Sequence, residues 1–324
     1  MSVDEKKLIK KLHDTGHFWN PSNPNGFNVE PQDLRTLNVK DKVVKEAIGS
    51  WQAIDTNFDT LSFILHLRNV IADGDIGPAT EIMATTARCP IPDYAPPPTA
   101  RFLYEDPGLQ AAVESYQRYA AAIGSGSWPV PGCDPTRKNV KNEHSVRVGL
   151  DTSRTPASIK AYLDQALLMT RKCSAEVGLA VRYVPISEDA EFDVRWENIP
   201  GNVIGYCYFP DPGTCNQVVT SRIDTNYDTG AIMLANLLVH EYLGHGIGLK
   251  HTRGGIMNPS ILKVDPLSWI GDVSESIVRR YFGGQPVPLD DGPGGPVDPP
   301  VPPGEENGVF LFDGKLFKIK VWKA

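Results

Sequence analysis

The sequence predicts a mixed α/β domain that follows a small all-α domain. Within residues 1–88, the stretches 41–54 and 58–71 place apolar residues at helical spacing. After residue 128, strand-like stretches are interspersed with long amphipathic helical patterns. Hydrophobic residues make up 41% of the chain and charged residues 22%, which is ordinary for a soluble protein with a true core.

The segment over residues 89–127 connects the two domains. It begins with CPIPDYAPPPTA, whose prolines block helix formation and favour extended backbone. It continues with DPGLQAAVESYQRYAAAIGSGS, which predicts a helix that ends at a Gly/Ser stretch. In front of the segment, DGDIGPATEIM predicts a glycine-rich turn and a short helix that begins near Pro78.

The domain over residues 128–284 is predicted to contain strands and helices in alternation. Strand patterns occupy residues 144–152, 179–186, 192–199, 202–213 (as a strand and a loop) and 217–225. Helical patterns occupy residues 155–178, 230–249 and 266–284. Gly178 marks the expected end of the first helix.

The C-terminal part is predicted to be a linker and a hairpin. Residues 285–306 are dominated by Pro, Gly and Asp, which is typical of a solvated, semi-rigid linker. Residues 307–324 predict a β-hairpin around Asp313-Gly314. A two-stranded hairpin is too small to be stable alone, so we expect it to dock on something or to belong to a longer array.

Charge and hydropathy exclude some classes of partner. The formal net charge is −7, and no basic stripe with interleaved aromatic residues occurs, so nucleic acid is not expected as a partner. The first 26 residues lack the apolar run of a secretory signal, and no stretch is apolar enough to span a bilayer. These features favour the cytoplasm, with leaderless export, lysis and carriage in a virus-like particle as the open alternatives.

The five cysteines are Cys89, Cys133, Cys173, Cys207 and Cys215, so one lacks an internal partner if the others pair. Cys207 and Cys215 flank a turn-rich stretch, YFPDPGT, that a disulfide could close. In the absence of a secretory signal, reduced thiols are an equally good interpretation.

Three of the seven histidines lie within LLVHEYLGHGIGLKHTRGGIMNPS, residues 237–260. His240, His245 and His251 supply the three protein ligands that a catalytic zinc site takes. Glu241, beside the first histidine, is placed to act as the general base on an attacking water. Gly248 can adopt a positive φ, end the helix and turn the chain so that His251 reaches the same metal.

The spacing of the first two histidines requires a local distortion of the helix. His240 and His245 are five residues apart, and in a regular α-helix that separation rotates a side chain by about 140° from its starting face. A single π-turn absorbs one extra residue and restores the alignment. Alternatively, Glu241 and His245, which are four apart, are both ligands; that set leaves no obvious base.

This segment resembles the metzincin zinc peptidases, whose motif is H-E-x-x-H-x-x-G-x-x-H followed by a Met-turn. HGIGLKH fits the second half, and GGIMNPS resembles the Met-turn, which implies that Met257 lies beneath the metal without binding it. The alternative is that Met257 is only a core residue. The first half departs from the metzincin motif, because it reads H-E-x-x-x-H with one additional residue. That spacing is similar to the zinc motif of the dipeptidyl peptidase III family.

The stretch ARCPIPDY resembles the cysteine-switch segment P-R-C-G-x-P-D of matrix metalloproteinase propeptides. Arg88, Cys89, Pro92 and Asp93 match, while Ala87 and Pro90 replace a proline and a glycine. A thiolate is a strong zinc ligand, so the resemblance implies that Cys89 blocks the site in a latent precursor. The alternative is a buried structural cysteine.

The resemblance to the matrixin branch covers most of residues 40–284. It implies a zincin fold with a twisted, mostly parallel sheet and long helices, and an extracellular location. It also implies structural calcium, for which Asp193, Asp211 and Asp224 lie in strand-connecting regions. DGDIGPATEIM resembles the peptidoglycan-binding-like repeat at the front of such propeptides, so residues 1–88 are an inhibitory prodomain, a cell-wall anchor or both.

Together these features predict a zinc-dependent endopeptidase, made as a zymogen, that acts on protein or peptide substrates. Its zinc ligands are His240, His245 and His251, and its base is Glu241. The alternative from another class is a peptidoglycan-binding or structural protein whose metallopeptidase-like domain is inactive.

Overall fold

The computed structural model describes most of residues 4–289 and two C-terminal strands. Not described are residues 1–3, 24, 27–28, 55–73, 98, 103, 105, 124–136, 139–143, 187–188, 211–217, 227–229, 261–266, 290–306, 313–314 and 321–324. The chain divides into two compact units, Met1–Asp290 and Asp291–Ala324. Among the described helices, none is both long enough and apolar enough to cross a bilayer.

The N-terminal part of the first unit is helical where it is described. It contains α1 (Glu5–Asp14), α2 (Lys42–Ile54) and α3 (Pro78–Thr85). The helix α1 begins because the Asp4 carboxylate accepts hydrogen bonds from the N–H groups of Lys6 and Lys7. The apolar faces of α1 and α2 share one buried cluster with Phe18 and Met83. The helix predicted over residues 58–71 lies outside the described residues.

The remaining helices are α4 (Pro107–Ile123), α5 (Ala157–Lys160), α6 (Leu163–Ala175), α7 (Ala231–Leu238) and α8 (Glu275–Phe282). The prediction of one helix over residues 155–178 was wrong in one respect: Tyr162, with φ −131°, leaves the helical region and separates α5 from α6. The predicted helix over 266–284 was too long, because Gly271 at φ 81° lies in a turn ahead of α8.

The main sheet has the order β3-β2-β4-β6-β5, with a short β1 beside the start of β2. Its strands are β1 (Arg137–Lys138), β2 (His144–Leu150), β3 (Leu179–Pro185), β4 (Phe192–Glu197), β5 (Gly205–Cys207) and β6 (Val219–Asp224). The pairs β2–β3, β2–β4 and β4–β6 are parallel, whereas β5 is antiparallel to β6 and ends the sheet. The predicted mixed α/β class with a mostly parallel sheet is confirmed.

The sheet and the helices α6 and α7 bury one large apolar core. Val148, Val194 and Ile223 of three neighbouring strands share a cluster with Leu237 of α7 and Cys173 of α6. The first three residues of α7 are partly buried, and the rest of the helix is buried. The residues that follow α7 are therefore held inside the molecule, against β5 and β6.

The second unit contains the predicted hairpin. Strands β7 (Asn307–Phe312) and β8 (Lys315–Lys320) pair antiparallel, with Phe312 opposite Lys315 on either side of residues 313–314. This register confirms the predicted hairpin pairing, whereas the connecting residues Asp313 and Gly314 lie outside the described residues.

Candidate metal centre

The helix that carries the first two histidines widens into a π-helix. It is α-helical over Ala231–Leu238, π-helical over Val239–Gly244, and 3-10 helical over His245–Ile247. The wider turn absorbs the extra residue, so the rings of His240 and His245 lie with their centroids 4.7 Å apart. The predicted π-turn is confirmed.

Gly248 reverses the chain after the second histidine. It has φ 93°, a left-handed conformation that favours glycine, and its N–H donates to the carbonyl of His245 at 2.8 Å. Its Cα also lies against another side chain, since a Cβ there would come within 1.9 Å of the Tyr119 hydroxyl. This turn, which the sequence predicted, brings His251 back towards His245.

Four side chains converge on one buried point. Cys89, His240, His245 and His251 are all buried, and their ligand atoms lie within 4.8 Å of one another. The Nε2 atoms of His245 and His251 are 3.2 Å apart, and the Cys89 Sγ is 3.4 Å from the His245 Nε2. Within the described parts of the chain, this is the group of such side chains that could hold a metal ion.

The outer nitrogens of the three imidazoles are all used in hydrogen bonds. The Nδ1 atoms of His240 and His245 donate to the backbone carbonyls of Ile256 and Leu249, both at 2.8 Å. The Nδ1 of His251 donates to the Asp93 Oδ1 at 2.7 Å. A carbonyl can only accept, so the proton of a neutral His240 or His245 is on Nδ1.

This tautomer leaves unprotonated nitrogens facing one another. The Nε2 atoms of neutral His240 and His245 present lone pairs to a common point, and that of His240 has no hydrogen-bond partner among the described residues. Converging lone pairs are unfavourable unless a cation lies between them. Metal-binding histidines characteristically donate their other N–H to a carbonyl or carboxylate, as these three do. The residues therefore fit a metal ion.

Burial sets the protonation states of the cluster. It lowers the pKa of His240 to about 3, with a further contribution from His251, and lowers that of His245 well below its usual value. Both imidazoles are therefore neutral at pH 7, the form that binds metals. Burial, and then the Glu241 carboxylate, raise the pKa of the Cys89 thiol well above its usual range. A bound cation opposes that rise because it stabilises the thiolate.

Glu241 lies beside the cluster but is not one of its converging ligands. Its side chain is fully buried, and neither carboxylate oxygen has a well-formed hydrogen bond among the described residues. Burial raises its pKa to about 8, and the nearby Cys89 thiol lowers it to a smaller extent. The structure thus brings His240 rather than Glu241 together with His245. An unpartnered buried carboxyl group of this kind is characteristic of functional sites.

Met257 lies directly beneath the π-helix. It is fully buried, and a Cβ added to Gly244 would come within 2.3 Å of its Sδ. Its carbonyl accepts the N–H of Thr252 at 2.9 Å. This bond ties the loop around Met257, which we call the methionine loop, to the residue after His251. The side chain belongs to the main apolar core and not to the converging ligands.

The Cys89 segment is held on both sides by the backbone. The N–H of Arg88 donates to the carbonyl of Asn202 at 3.1 Å, and the N–H of Cys89 donates to that of Pro259 at 2.9 Å. Arg88 also forms an isolated parallel bridge with Val203. The Cys89 backbone is therefore held on one side by the residues just before β5 and on the other by Pro259, which follows the methionine loop.

Asp93 joins this segment to the metal cluster. Its carboxylate is within 2.7 Å of both the Arg88 guanidinium and the His251 Nδ1, and within 2.8 Å of the His17 Nε2. Burial alone would raise its pKa, but these three partners hold that pKa well below its usual value. Sequence reasoning matched Asp93 to a motif and missed His17, which carries no local signal for this contact.

The carboxylates considered for calcium are used within the protein. Asp193 pairs with Arg195 at 2.8 Å, and Asp224 accepts the N–H groups of Ile199 and Asn226, both at 3.2 Å. Neither belongs to a group of converging ligands among the described residues. Asp211, Cys133 and Cys215 lie outside the described residues. Of the two alternatives left open for Cys207, the structure describes it as a free, buried thiol.

Comparison of the chain with models of known protein families and with curated proteins gives no match.

Replacing Gly248 with alanine should reduce metal binding. The positive φ costs an alanine roughly 1–2 kcal/mol. The clash with Tyr119 adds about 1–3 kcal/mol and displaces the turn that delivers His251. Metal content by mass spectrometry and thermal unfolding would measure both effects. The control is Gly201→Ala, since Gly201 has φ 81° with open space around it; equal behaviour of the two variants would contradict the prediction.

Asp93→Asn should weaken the metal site. Asparagine keeps an acceptor for His251 but removes the charge that holds Arg88 and His17. Mutating the outer hydrogen-bond partner of a metal ligand typically costs about 10–100-fold in affinity. Competition with a chelator measures the loss. The control is Asp193→Asn, which should leave metal affinity unchanged because the Asp193 carboxylate pairs with Arg195 and not with a ligand. Unaltered affinity in Asp93→Asn would show that this carboxylate does not support the ligand.

Proposed function

We propose that this protein is a zinc-dependent endopeptidase made as a latent precursor. The observation that carries the proposal is the placement of Glu241, a buried and unpartnered carboxyl group, beside three imidazoles whose Nε2 atoms converge. Three histidines with one open or displaceable position are a ligand set of catalytic zinc in hydrolases.

Zinc is the metal that the donor set favours. Imidazole nitrogens suit several divalent metals, but the addition of a thiolate selects for zinc among those common in hydrolytic sites. Three nitrogens and one sulfur match its preferred tetrahedral arrangement. When bound, zinc supplies a Lewis acid to this pocket.

Glu241 is the proton carrier of the proposed reaction. It removes a proton from the attacking water and delivers that proton to the leaving amine of the peptide. Its burial favours this role, because a carboxyl group with a pKa raised towards neutrality both accepts and releases a proton readily. His240, His245 and His251 hold the metal, and Met257 supports the π-helix from below.

Cys89 accounts for latency. The cysteine sulfur completes the four-ligand set, so the precursor has no position left for water or substrate. Cutting the segment or oxidising the thiol would vacate that position. The resemblance to matrixin-like metzincins supports this proposal, since the residues that carry it are those that meet in the cluster. The same resemblance supports an extracellular location and peptidoglycan as a ligand of the N-terminal domain.

A second candidate function rests on the same four ligands. Structural zinc sites are typically closed by four protein side chains, and this cluster has four. On that basis the chain is a cell-wall-binding or structural protein with an inactive metallopeptidase-like domain. Pull-down with peptidoglycan by a protein that shows no proteolysis, even after limited trypsin treatment, would favour this candidate.

Glu241→Gln should abolish casein hydrolysis while leaving the metal in place. The amide cannot take up the proton, and a general base contributes about 10²–10⁴-fold to the rate. Casein hydrolysis and metal content would be measured together, on protein activated by limited trypsin treatment. A chelator should likewise stop the parent, and added zinc should restore it. Full activity in Glu241→Gln would exclude this residue as the base.

Cys89→Ser should raise the activity of the unprocessed chain. A serine hydroxyl is a much weaker zinc ligand than a thiolate, so the fourth position becomes available to water. The matched control is Cys173→Ser, because Cys173 is equally buried but lies in the main core away from the cluster. Activity equal to that of the parent would remove the switch and leave the peptidase proposal intact.

A further inference from the structure

One edge of the main sheet runs past the metal centre. The strand β5 is the last of the sheet, and the bonds Tyr208 N–H to Thr220 and Asp224 N–H to Ile204 fix which of its groups face β6. By strand alternation, the N–H and C=O groups of residues 205, 207 and 209 point to the free edge. The Phe209 ring lies 5.1 Å from the His245 ring, so this edge leads to the metal ligands.

A free edge beside a catalytic centre is a natural place for an extended peptide. Such a peptide adds to a sheet as one more strand, and main-chain hydrogen bonds hold it in place. On a proposed peptidase, this interaction would bring the scissile bond towards the metal and Glu241. It requires that the outward N–H and C=O groups of the edge be accessible.

The helix α4 occupies this edge with hydrogen bonds. The Ser115 Oγ accepts the outward N–H of Phe209 at 2.9 Å, while its own hydroxyl proton goes to the carbonyl of Ala112 at 2.6 Å. The Tyr208 hydroxyl donates to the carbonyl of Gly108, the second residue of the helix, at 3.1 Å. The first contact uses a main-chain N–H that an added peptide strand would need, and the second holds the start of α4 beside the same edge.

The apolar face of α4 covers the neighbouring metal ligand. The rings of Tyr116 and Tyr119 pack against Phe209 with centroids 4.7 and 5.4 Å away, and Tyr119 also touches Gly248. These side chains belong to a separate apolar cluster that includes Cys89. This cluster, which we call the cover cluster, therefore packs α4 and the cysteine segment together above the site.

We propose that α4 is a second blocking element, which occupies the free edge of β5 independently of the Cys89 thiol. The inference rests on the proposed peptidase function and adds steric exclusion of the substrate to its regulation. The thiol closes the metal, and α4 closes the surface along which a polypeptide would lie. Removing the thiol alone therefore gives partial activity, and displacing α4 as well gives more.

The test compares two alanine-to-glutamate changes on the same helix, in the full chain carrying Cys89→Ser. Ala112 is fully buried in the cover cluster, so Ala112→Glu forces α4 off the edge. Ala121 is exposed, so Ala121→Glu adds the same charge without displacing the helix. Amide hydrogen exchange, metal content and casein hydrolysis are measured for both.

Ala112→Glu should speed exchange of the amides at 205, 207 and 209 by at least about tenfold. Exchange in β4, one strand further into the sheet than β6, should not change. Casein hydrolysis should rise severalfold over Cys89→Ser alone, and Ala121→Glu should alter neither property. Ser115→Ala provides a milder variant that removes one acceptor and keeps the packing. It should speed exchange of the Phe209 amide without lowering the melting temperature.

Two results would overturn the proposal. One is unchanged exchange along β5 in Ser115→Ala and in a folded, metal-containing Ala112→Glu protein. The other is faster exchange throughout the sheet with lower hydrolysis, because α4 would then be a part of the core. Selective opening of β5 without hydrolysis by any variant would retain α4 as the cover of this edge and refute the peptidase function instead.

Discussion

The widened turn over Val239–Gly244 is the constraint on which the metal centre depends. In a regular helix, His240 and His245 would point to different sides, and no later loop could bring them to one ion. The π-turn corrects the phase by one residue, after which the left-handed Gly248 can return His251 to the same point. The five-residue spacing of the two histidines is thereby accommodated within one turn.

The π-turn is held in place by its surroundings and not by local preference. His240 and His245 each donate a hydrogen bond to the backbone carbonyl of a later residue, Ile256 and Leu249 respectively. Met257 fills the space below Gly244. The sheet and α6 bury the helix from the other side. A metal ion bound here would add to this network by cancelling the repulsion of the converging lone pairs. The same ion would reduce the free-energy cost of burying the Glu241 carboxylate.

Local features of this protein could be predicted from its sequence, and distant contacts could not. Histidine spacing and a glycine position are properties of neighbouring residues, so they predicted the π-turn and the positive φ of Gly248. Alternation likewise predicted β2, β3, β4 and β6. The interruption at Tyr162 and the turn at Gly271 ahead of α8 break helices that apolar periodicity alone predicts as continuous. The contacts of His17 with Asp93 and of Ser115 with Phe209 join residues far apart in the chain, and no local pattern encodes them.

The position of Asp93 has a thermodynamic consequence. One carboxylate is shared by His17 of the N-terminal helical part and by His251 of the metal centre. Coupling free energies are reciprocal. If the contact of His17 with Asp93 stabilises the metal-bound arrangement, metal binding stabilises the packing around His17 by the same amount. The concentration of a metal ion that this cluster binds would then influence how firmly the N-terminal helices are attached, and removal of the ion would loosen them.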